Sequence, residues 1–227
     1  MLQEPEVVVF DTETTGVDVW GDRIVTATVA VLDAEGDVID GLGGSWLINP
    51  GVPIPEGAAA VHGITTEHAE THGMEPFDGI RAIVDTLTAV SGVPVVAFNA
   101  NFDFTILAAE TERHSIRFDL PEHIIDPLVI DRAMFKYRKG KRTLEVLTEQ
   151  YGLPAFDAHD ATADAIAAGR LALAQLRGTT LTLDRLMEMQ PIWHQQQAES
   201  LEEWLRRTDS SVVVDRGWPT KDKAIQS

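Results

Sequence analysis

The stretch EVVVFDTETTG, Glu6 to Gly16, is an apolar run that ends abruptly in acids and hydroxyls. An unbroken run of Val and Phe marks a short strand buried on both faces, as in a sheet that carries helices on both sides. Asp11 and Glu13 then stand at i and i+2, so both carboxylates project from one face of the strand. Outward from it, Arg23–Asp33 (RIVTATVAVLD) is long and β-branched, and Ser45–Asn49 (SWLIN) is a third strand. Gly and Asp between Asp33 and Gly44 mark turns, so these three strands form an antiparallel meander. Residues 50–63, with Pro50, Gly51, Pro53, Pro55 and Gly57, read as a loop.

The period then changes. Phe77, Ile80, Val84, Leu87 and Val90 fall on one helical face, closed by Gly92 and Pro94. Val95–Phe98 is a fourth strand, Phe102–Arg113 a helix, His123–Ile125 a fifth strand, and Thr143–Tyr151 and Asp160–Leu176 two more helices. A meander followed by strand–helix alternation predicts an α/β fold with a mixed sheet flanked by helices. Past Gly178 the apolar positions Leu183, Leu186, Met187, Trp193, Ala198, Leu201, Trp204 and Leu205 keep helical spacing, with Pro191 breaking the run. Two helices are expected there, then a short VVV strand or tail at Val212–Val214 and a loose end from Trp218. The chain divides into a domain over residues 1–177 and a helical extension over 178–227 that packs on it.

With 44% hydrophobic and 24% charged residues the composition is that of a soluble globular protein. No apolar run approaches the ~20 residues that span a bilayer, and the acidic amino-terminal stretch lacks the pattern of a signal peptide. The absence of cysteine excludes disulfides and thiolate metal sites. A cytoplasmic location is the default, and 13 Arg against 5 Lys with abundant Ala points to a GC-rich bacterial or phage genome. The net charge of −18 argues against tight wrapping of duplex nucleic acid. The cations are unevenly placed, however. Arg132, Lys136, Arg138, Lys139, Lys141 and Arg142 gather six of the eighteen basic residues in one segment, which reads either as a local contact for a strand end or as a solvated loop.

Three short segments carry chemistry. An acid pair on an apolar strand is costly unless it binds something positive, and oxygen ligands favour Mg²⁺ or Mn²⁺. In VVAFNANFD a second apolar run enters a polar turn, placing Asp103 about one helical turn after Asn99. Asn99 also suits a plain helix cap. In HDATAD, Asp160 caps an alanine-rich helix, with His159 at its mouth and Asp164 just over one turn inside. The alanines read as room for a substrate. A His beside acids is a natural general base, although a surface His before a helix looks the same in sequence.

Taken in order, FDTETTG, FNANFDF and HDATAD resemble the three motifs of the DEDDh exonucleases, the family of the DNA polymerase III proofreading (epsilon) subunit. VHGIT (Val61–Thr65) and TLEVLTEQYGL match further family segments, and the resemblance runs from about Val7 to Leu176. It implies a ribonuclease-H-like fold with a five-stranded mixed sheet and 3′→5′ removal of nucleoside monophosphates. By position, Asp11, Glu13, Asp103 and Asp164 hold two divalent ions and His159 deprotonates the attacking water. Ile64 wedges against the terminal base with Phe102 supporting it, and Thr12, Thr14 and Asn99 lie along the substrate. Apart from the resemblance, the basic segment itself assigns Lys136, Arg138, Lys139, Lys141 and Arg142 to phosphates upstream of the scissile bond. Phe98 stands where relatives often carry a His before the Asn. The implied partners are single-stranded 3′ ends, DNA ahead of RNA, and a replicative polymerase; no membrane is implied. Trimming of RNA by the same chemistry is the nearest alternative. A phosphatase of the haloacid dehalogenase type would need Asp in place of Glu13 and leaves His159 and Asp164 unexplained. A non-catalytic nucleic-acid-binding domain would not need all five chemical residues.

Overall fold

The computed structural model of the protein describes residues 6–226. Five strands, β1 (Val7–Thr14), β2 (Ile24–Leu32), β3 (Val38–Leu47), β4 (Val95–Val96) and β5 (Ile124–Ile125), form one sheet in the order β3-β2-β1-β4-β5. The meander β1–β3 is antiparallel, whereas β4 and β5 run parallel to β1. The mixed sheet is therefore as the residues imply. The central strand carries the two layers: Val8 and Phe10 point into one core, Val7 and Val9 into the other.

Helix α1 (Glu56–His62), α2 (Thr66–His72) and α3 (Pro76–Ala89) follow the meander, and α4 (Ala100–Arg113) follows β4. Ile80 and Ile83 of α3 and Phe104 and Leu107 of α4 cover the Val8/Phe10 face. After β5 come α5 (Pro127–Met134), α6 (Leu144–Gln150), α7 (Ala161–Arg177) and α8 (Leu183–Leu205). Helix α7 covers the opposite face through Ala165, Ala168, Leu171 and Ala172, all buried. There the small residues are a packing device, whereas Ala163 beside Asp164 is only half-buried. At Gly169 an added Cβ would fall 2.3 Å from Val9 Cγ1 and 2.6 Å from Leu32 Cδ1, so the helix backbone lies directly on the sheet.

Several expectations need correction. Residues 50–63 are not all loop, because Glu56–His62 is helical, opened by Pro55 and closed by Gly63 at φ 76. That helix buries no residue, so it has no apolar stripe to announce it. Pro191 does not break the last helix, which runs through it from Leu183 to Leu205. An internal proline costs about 3 kcal/mol, and tertiary docking offsets it. Gln190 is buried, its amide donates to Ile124 O at 2.8 Å and its carbonyl accepts from Asp126 N at 2.8 Å, and Gln197 donates to Val129 O at 3.0 Å. Leu201, Trp204 and Phe77, expected in the core, are exposed. Val212–Val214 forms no strand, and Trp218 is not loose. It packs on the Val8/Phe10 core, while Asn101 Nδ2 donates to Gly217 O at 2.8 Å and Lys221 N donates to Thr105 Oγ1 at 2.9 Å. No described helix is long and apolar enough to cross a membrane.

In an exposed helix Gly→Ala would stabilise by about 1 kcal/mol. Gly169→Ala is expected to do the reverse, destabilising by about 1–3 kcal/mol through overpacking against Val9 and Leu32. Urea unfolding followed by circular dichroism checks the sign; a stabilised variant would mean that α7 can lift off the sheet at no cost.

Candidate active site

The carboxylates come from three elements that meet at the C-terminal end of β1. Asp11 and Glu13 share parity with Val7 and Val9, so they lie on the face that α7 covers. Helix α7 brings Asp164, one turn from its N-terminus. Asp160 caps that helix by accepting from Thr162 N (3.0 Å) and Ala163 N (2.9 Å). Thr162 Oγ1 then joins Thr28 Oγ1 (3.0 Å) and Ser45 Oγ (3.1 Å), pinning the start of α7 to the sheet directly across from Asp11, whose β2 partner is Thr28.

Asp103 arrives on the first turn of α4 and is buried. Thr12 points to that face of β1, and its hydroxyl donates to Asp103 Oδ1 at 2.7 Å. The single strand thus presents two carboxylates on one side and steers a third with the residue between them. His159 has φ 72, a left-handed backbone that is uncommon for a residue with a side chain and several-fold enriched in His. Its amide donates to Asp164 Oδ2 at 2.9 Å, which fixes the turn into α7. One ligand atom from each of Glu13, His159 and Asp164 can be chosen so that all lie within 4.8 Å of one another.

Crowding shows in the electrostatics. Burial, then the charges of Asp103, Asp164, Glu13 and Asp160, hold the Asp11 carboxyl well above its ordinary range. Burial pushes Asp103 to about 8 against the opposing hydrogen bond from Thr12. Burial followed by the Asp164 and Asp160 charges takes Glu13 to about 7, and burial also raises Asp164. Among the described residues no Lys or Arg forms an ion pair with any of these four carboxylates. Apart from His159, whose charge acts on Asp164, such a cluster has no counter-charge among the described residues, and a donor set dominated by carboxylate oxygens suits hard divalent cations.

The other expected residues divide. Ile64 is partly buried among Val25, Ile54 and Ala69, and its amide donates to His62 Nδ1 at 3.1 Å. Phe102, on the first turn of α4, packs against the core and is partly buried. The Thr14 hydroxyl is engaged with Gly16 O at 2.6 Å. Asn99 does not cap α4 with its side chain; it turns the chain at φ 66, a conformation Asn tolerates. Lys139 and Lys141 are exposed. Arg142 is not: its guanidinium forms an ion pair with buried Asp131 and bonds to Asp131 O at 3.2 Å, so it serves the protein's own interior.

The sequence reading misses Asp126, although Asp-Pro after an apolar strand is a helix-start signal. It is 2% exposed, and its carboxylate accepts from Leu128 N (2.8 Å) and Val129 N (3.4 Å) of α5, and from Asn99 N (3.1 Å) and Ala100 N (3.0 Å) at the start of α4. One buried carboxylate therefore caps both helices, including the one that carries Asp103.

The fold and this constellation define a nuclease of ribonuclease-H-like architecture. Residues 8–172 match the exonuclease family described as RNase_T, and the chain belongs to that family, within its DEDDh branch. It is 32% identical over 175 residues to the DNA polymerase III PolC-type of Lacticaseibacillus paracasei, covering 76% of this chain and 11% of that protein. It is 32% identical over 168 residues to a DNA polymerase III subunit epsilon-like protein of Rhodobacter capsulatus, covering 73% and 23% respectively. The chain thus spans a small part of either relative. Among solved structures, E. coli exonuclease I in complex with a dA16 oligonucleotide shares the fold with TM-score 0.65 at 23% identity, covering 87% of this chain and 45% of that one. Exonuclease X in complex with 5′ overhanging duplex DNA gives 0.58 at 21% identity, covering 81% and 99%.

Ordinary carboxylates in an unfolded chain titrate near 4, while Glu13 and Asp103 titrate at about 7 and about 8 in the metal-free fold. Between those values the folded state binds more protons than the unfolded chain, so stability falls as pH rises through 7 to 8. Metal-free protein is expected to melt at higher temperature at pH 6 than at pH 8.5, and Mg²⁺ or Mn²⁺ is expected to recover the loss at pH 8.5. Asp103→Asn should flatten the slope in EDTA. An unchanged slope in that variant would assign the effect to the acidic surface at large.

Proposed function

We propose that the protein is a metal-dependent 3′→5′ exonuclease that releases nucleoside monophosphates from single-stranded 3′ ends of DNA. The observation that carries this reading is the convergence of Asp11, Glu13, Asp103 and Asp164 from β1, α4 and α7, with His159 at the open edge of the cluster. Asp11, Glu13, Asp103 and Asp164 would hold two divalent ions. When bound, such ions neutralise charge on the entering and leaving oxygens of a phosphodiester.

The chain's own residues do the rest. Thr12 holds Asp103 on its rotamer, and the amide of His159 holds Asp164. The exposed imidazole of His159 accepts the proton of the attacking water, the usual work of a histidine general base. Ile64 stands against the terminal base with Phe102 behind it. Lys139 and Lys141 meet phosphates upstream, with Arg142 removed from that set. DNA is favoured over RNA because the similar proteins are DNA polymerases and exonucleases bound to DNA. A polymerase is the partner that the PolC-type and epsilon-like relatives point to.

A 5′-labelled oligodeoxythymidylate incubated with Mg²⁺ or Mn²⁺ is expected to shorten one nucleotide at a time from its unlabelled end. Asp103→Ala or Asp164→Ala should abolish turnover, and His159→Ala should lower kcat by about 10²–10⁴-fold. Early release of the labelled nucleotide, or full activity in EDTA, would overturn the assignment. In a companion measurement, changing Lys139 and Lys141 to Ser should flatten the slope of log Kd against log salt by about 0.7 for each phosphate the loop no longer neutralises.

A further inference from the structure

The segment between α5 and α6 does more than carry charge. Buried Asp131 in the middle of α5 receives two guanidinium groups, Arg138 at 3.1 Å and Arg142 in a closer pair. Arg142 also donates to Phe135 O and to Arg138 O (3.3 Å), and Arg138 donates to Lys141 O (3.4 Å). The backbone closes on itself where Arg138 N meets Phe135 O at 3.0 Å. Both arginines are turned inward, cross-bracing the loop from below. What remains outside is Phe135, Lys136, Tyr137, Lys139 and Lys141, aromatic residues interleaved with cations. Tyr137 is 89% exposed, the largest exposure among the large apolar and aromatic side chains of the described residues.

We propose that Tyr137 is a stacking platform for an unpaired base of single-stranded nucleic acid, with Phe135 two residues before it and Lys136, Lys139 and Lys141 facing the adjoining phosphates. This rests on the exonuclease reading of the neighbouring site. A flat aromatic ring beside cations is how sequence-tolerant single-strand surfaces are built, since every base offers a π face. The brace on Asp131 supplies preorganisation, so little loop entropy is lost on binding. Charge complementarity selects the occupant: in a chain of net charge −18, exposed lysines around a ring attract a polyanion. The loop also adjoins the chemistry. Glu145, in the first turn of α6, is held below its ordinary range by backbone and Thr143 hydrogen bonds and then by the charges of His159 and Lys141. It is itself one of the charges acting on Asp164. The loop therefore lies within electrostatic range of the carboxylate cluster.

The test is anisotropy of a labelled oligodeoxythymidylate titrated with the full chain, with Ca²⁺ in place of Mg²⁺, alongside a series carrying one abasic residue at successive positions. Tyr137→Ala is expected to weaken Kd by about 5- to 150-fold, the usual worth of one base stacked on an aromatic ring, while Tyr137→Phe stays close to wild type. One abasic position should weaken the wild type by the same factor and leave Tyr137→Ala unaffected. Melting curves confirm that both variants fold. Unchanged Kd in Tyr137→Ala overturns the platform, as does an abasic series that weakens wild type and variant alike, which would leave the ring to a protein partner. Hydrolysis is scored separately. Normal turnover with unchanged Kd removes the platform and keeps the exonuclease, whereas Tyr137-dependent binding without turnover does the opposite.

Discussion

Like-charge repulsion at the end of β1 is the constraint around which the molecule is arranged. Asp11, Glu13, Asp103 and Asp164 raise one another's pKa or are raised by burial, and among the described residues no Lys or Arg pairs with them; only the charge of His159 acts the other way, on Asp164. Left to themselves, carboxylates on a mobile chain would separate. Here each is fastened to an element whose position is set by apolar packing some distance away. Val7 and Val9 bury β1 from one side, Val8 and Phe10 from the other. Gly169 lets α7 press onto Val9 and Leu32. Hydrophobic burial, which is insensitive to charge, thus holds a charge arrangement that is unfavourable until cations arrive. That trade between stability and site geometry is expected wherever a site must be assembled before its ligand binds.

Helix α4 shows how far the support reaches. Its first turn delivers Asp103, and its N-terminal amides are capped by Asp126 from across the β5–α5 junction rather than by its own Asn99. Asp126 is in turn held through its amide by Gln190 of α8, which also binds Ile124 O. Further along α4, Asn101 and Thr105 bond to Gly217 and Lys221 of the returning C-terminal segment. The helix bearing Asp103 is therefore gripped at its start by Asp126, itself held by Gln190, and further along by residues beyond Arg177. Removing a partner from such a buried network leaves the other group unsatisfied, which costs more than the bond was worth. This is also why α8 tolerates Pro191: its docking is set by Gln190 and Gln197, and the missing amide lies in a helix held from outside.

The sheet, and the strand end and helix starts that carry Asp11, Glu13, Asp103 and Asp164, were legible because their signals are local. An apolar run ending in Asp-x-Glu reads as a strand with two acids on one face, and a capping Asp before alanines reads as a helix start. Both readings need only neighbours within a few residues. The misreadings share a cause. Helix α1 buries nothing, so periodicity had nothing to register. Asp126 acts on residues 26 and 27 positions earlier in the chain, and Asp131 claims Arg142 eleven positions later. Partnerships of that separation leave no trace in spacing, so six cations read as one pool when two of them are internal. Leu201 and Trp204 kept helical spacing yet lie outside the core, because spacing identifies a face and not what covers it.

The acidity of the chain sharpens what its cations must do. At physiological ionic strength the field of a surface charge decays over about 8 Å, so the global charge of −18 weakens approach from a distance without governing contact. Contact energy is set within that radius, where Lys136, Lys139 and Lys141 stand exposed on a braced loop. Had Arg138 and Arg142 also pointed outward, the loop would carry more charge but lose its frame, and binding each phosphate would have to order a mobile segment. Turning two arginines inward gives up charge for shape. The consequence is a surface with a fixed shape and a modest, local positive charge rather than a mobile one with more.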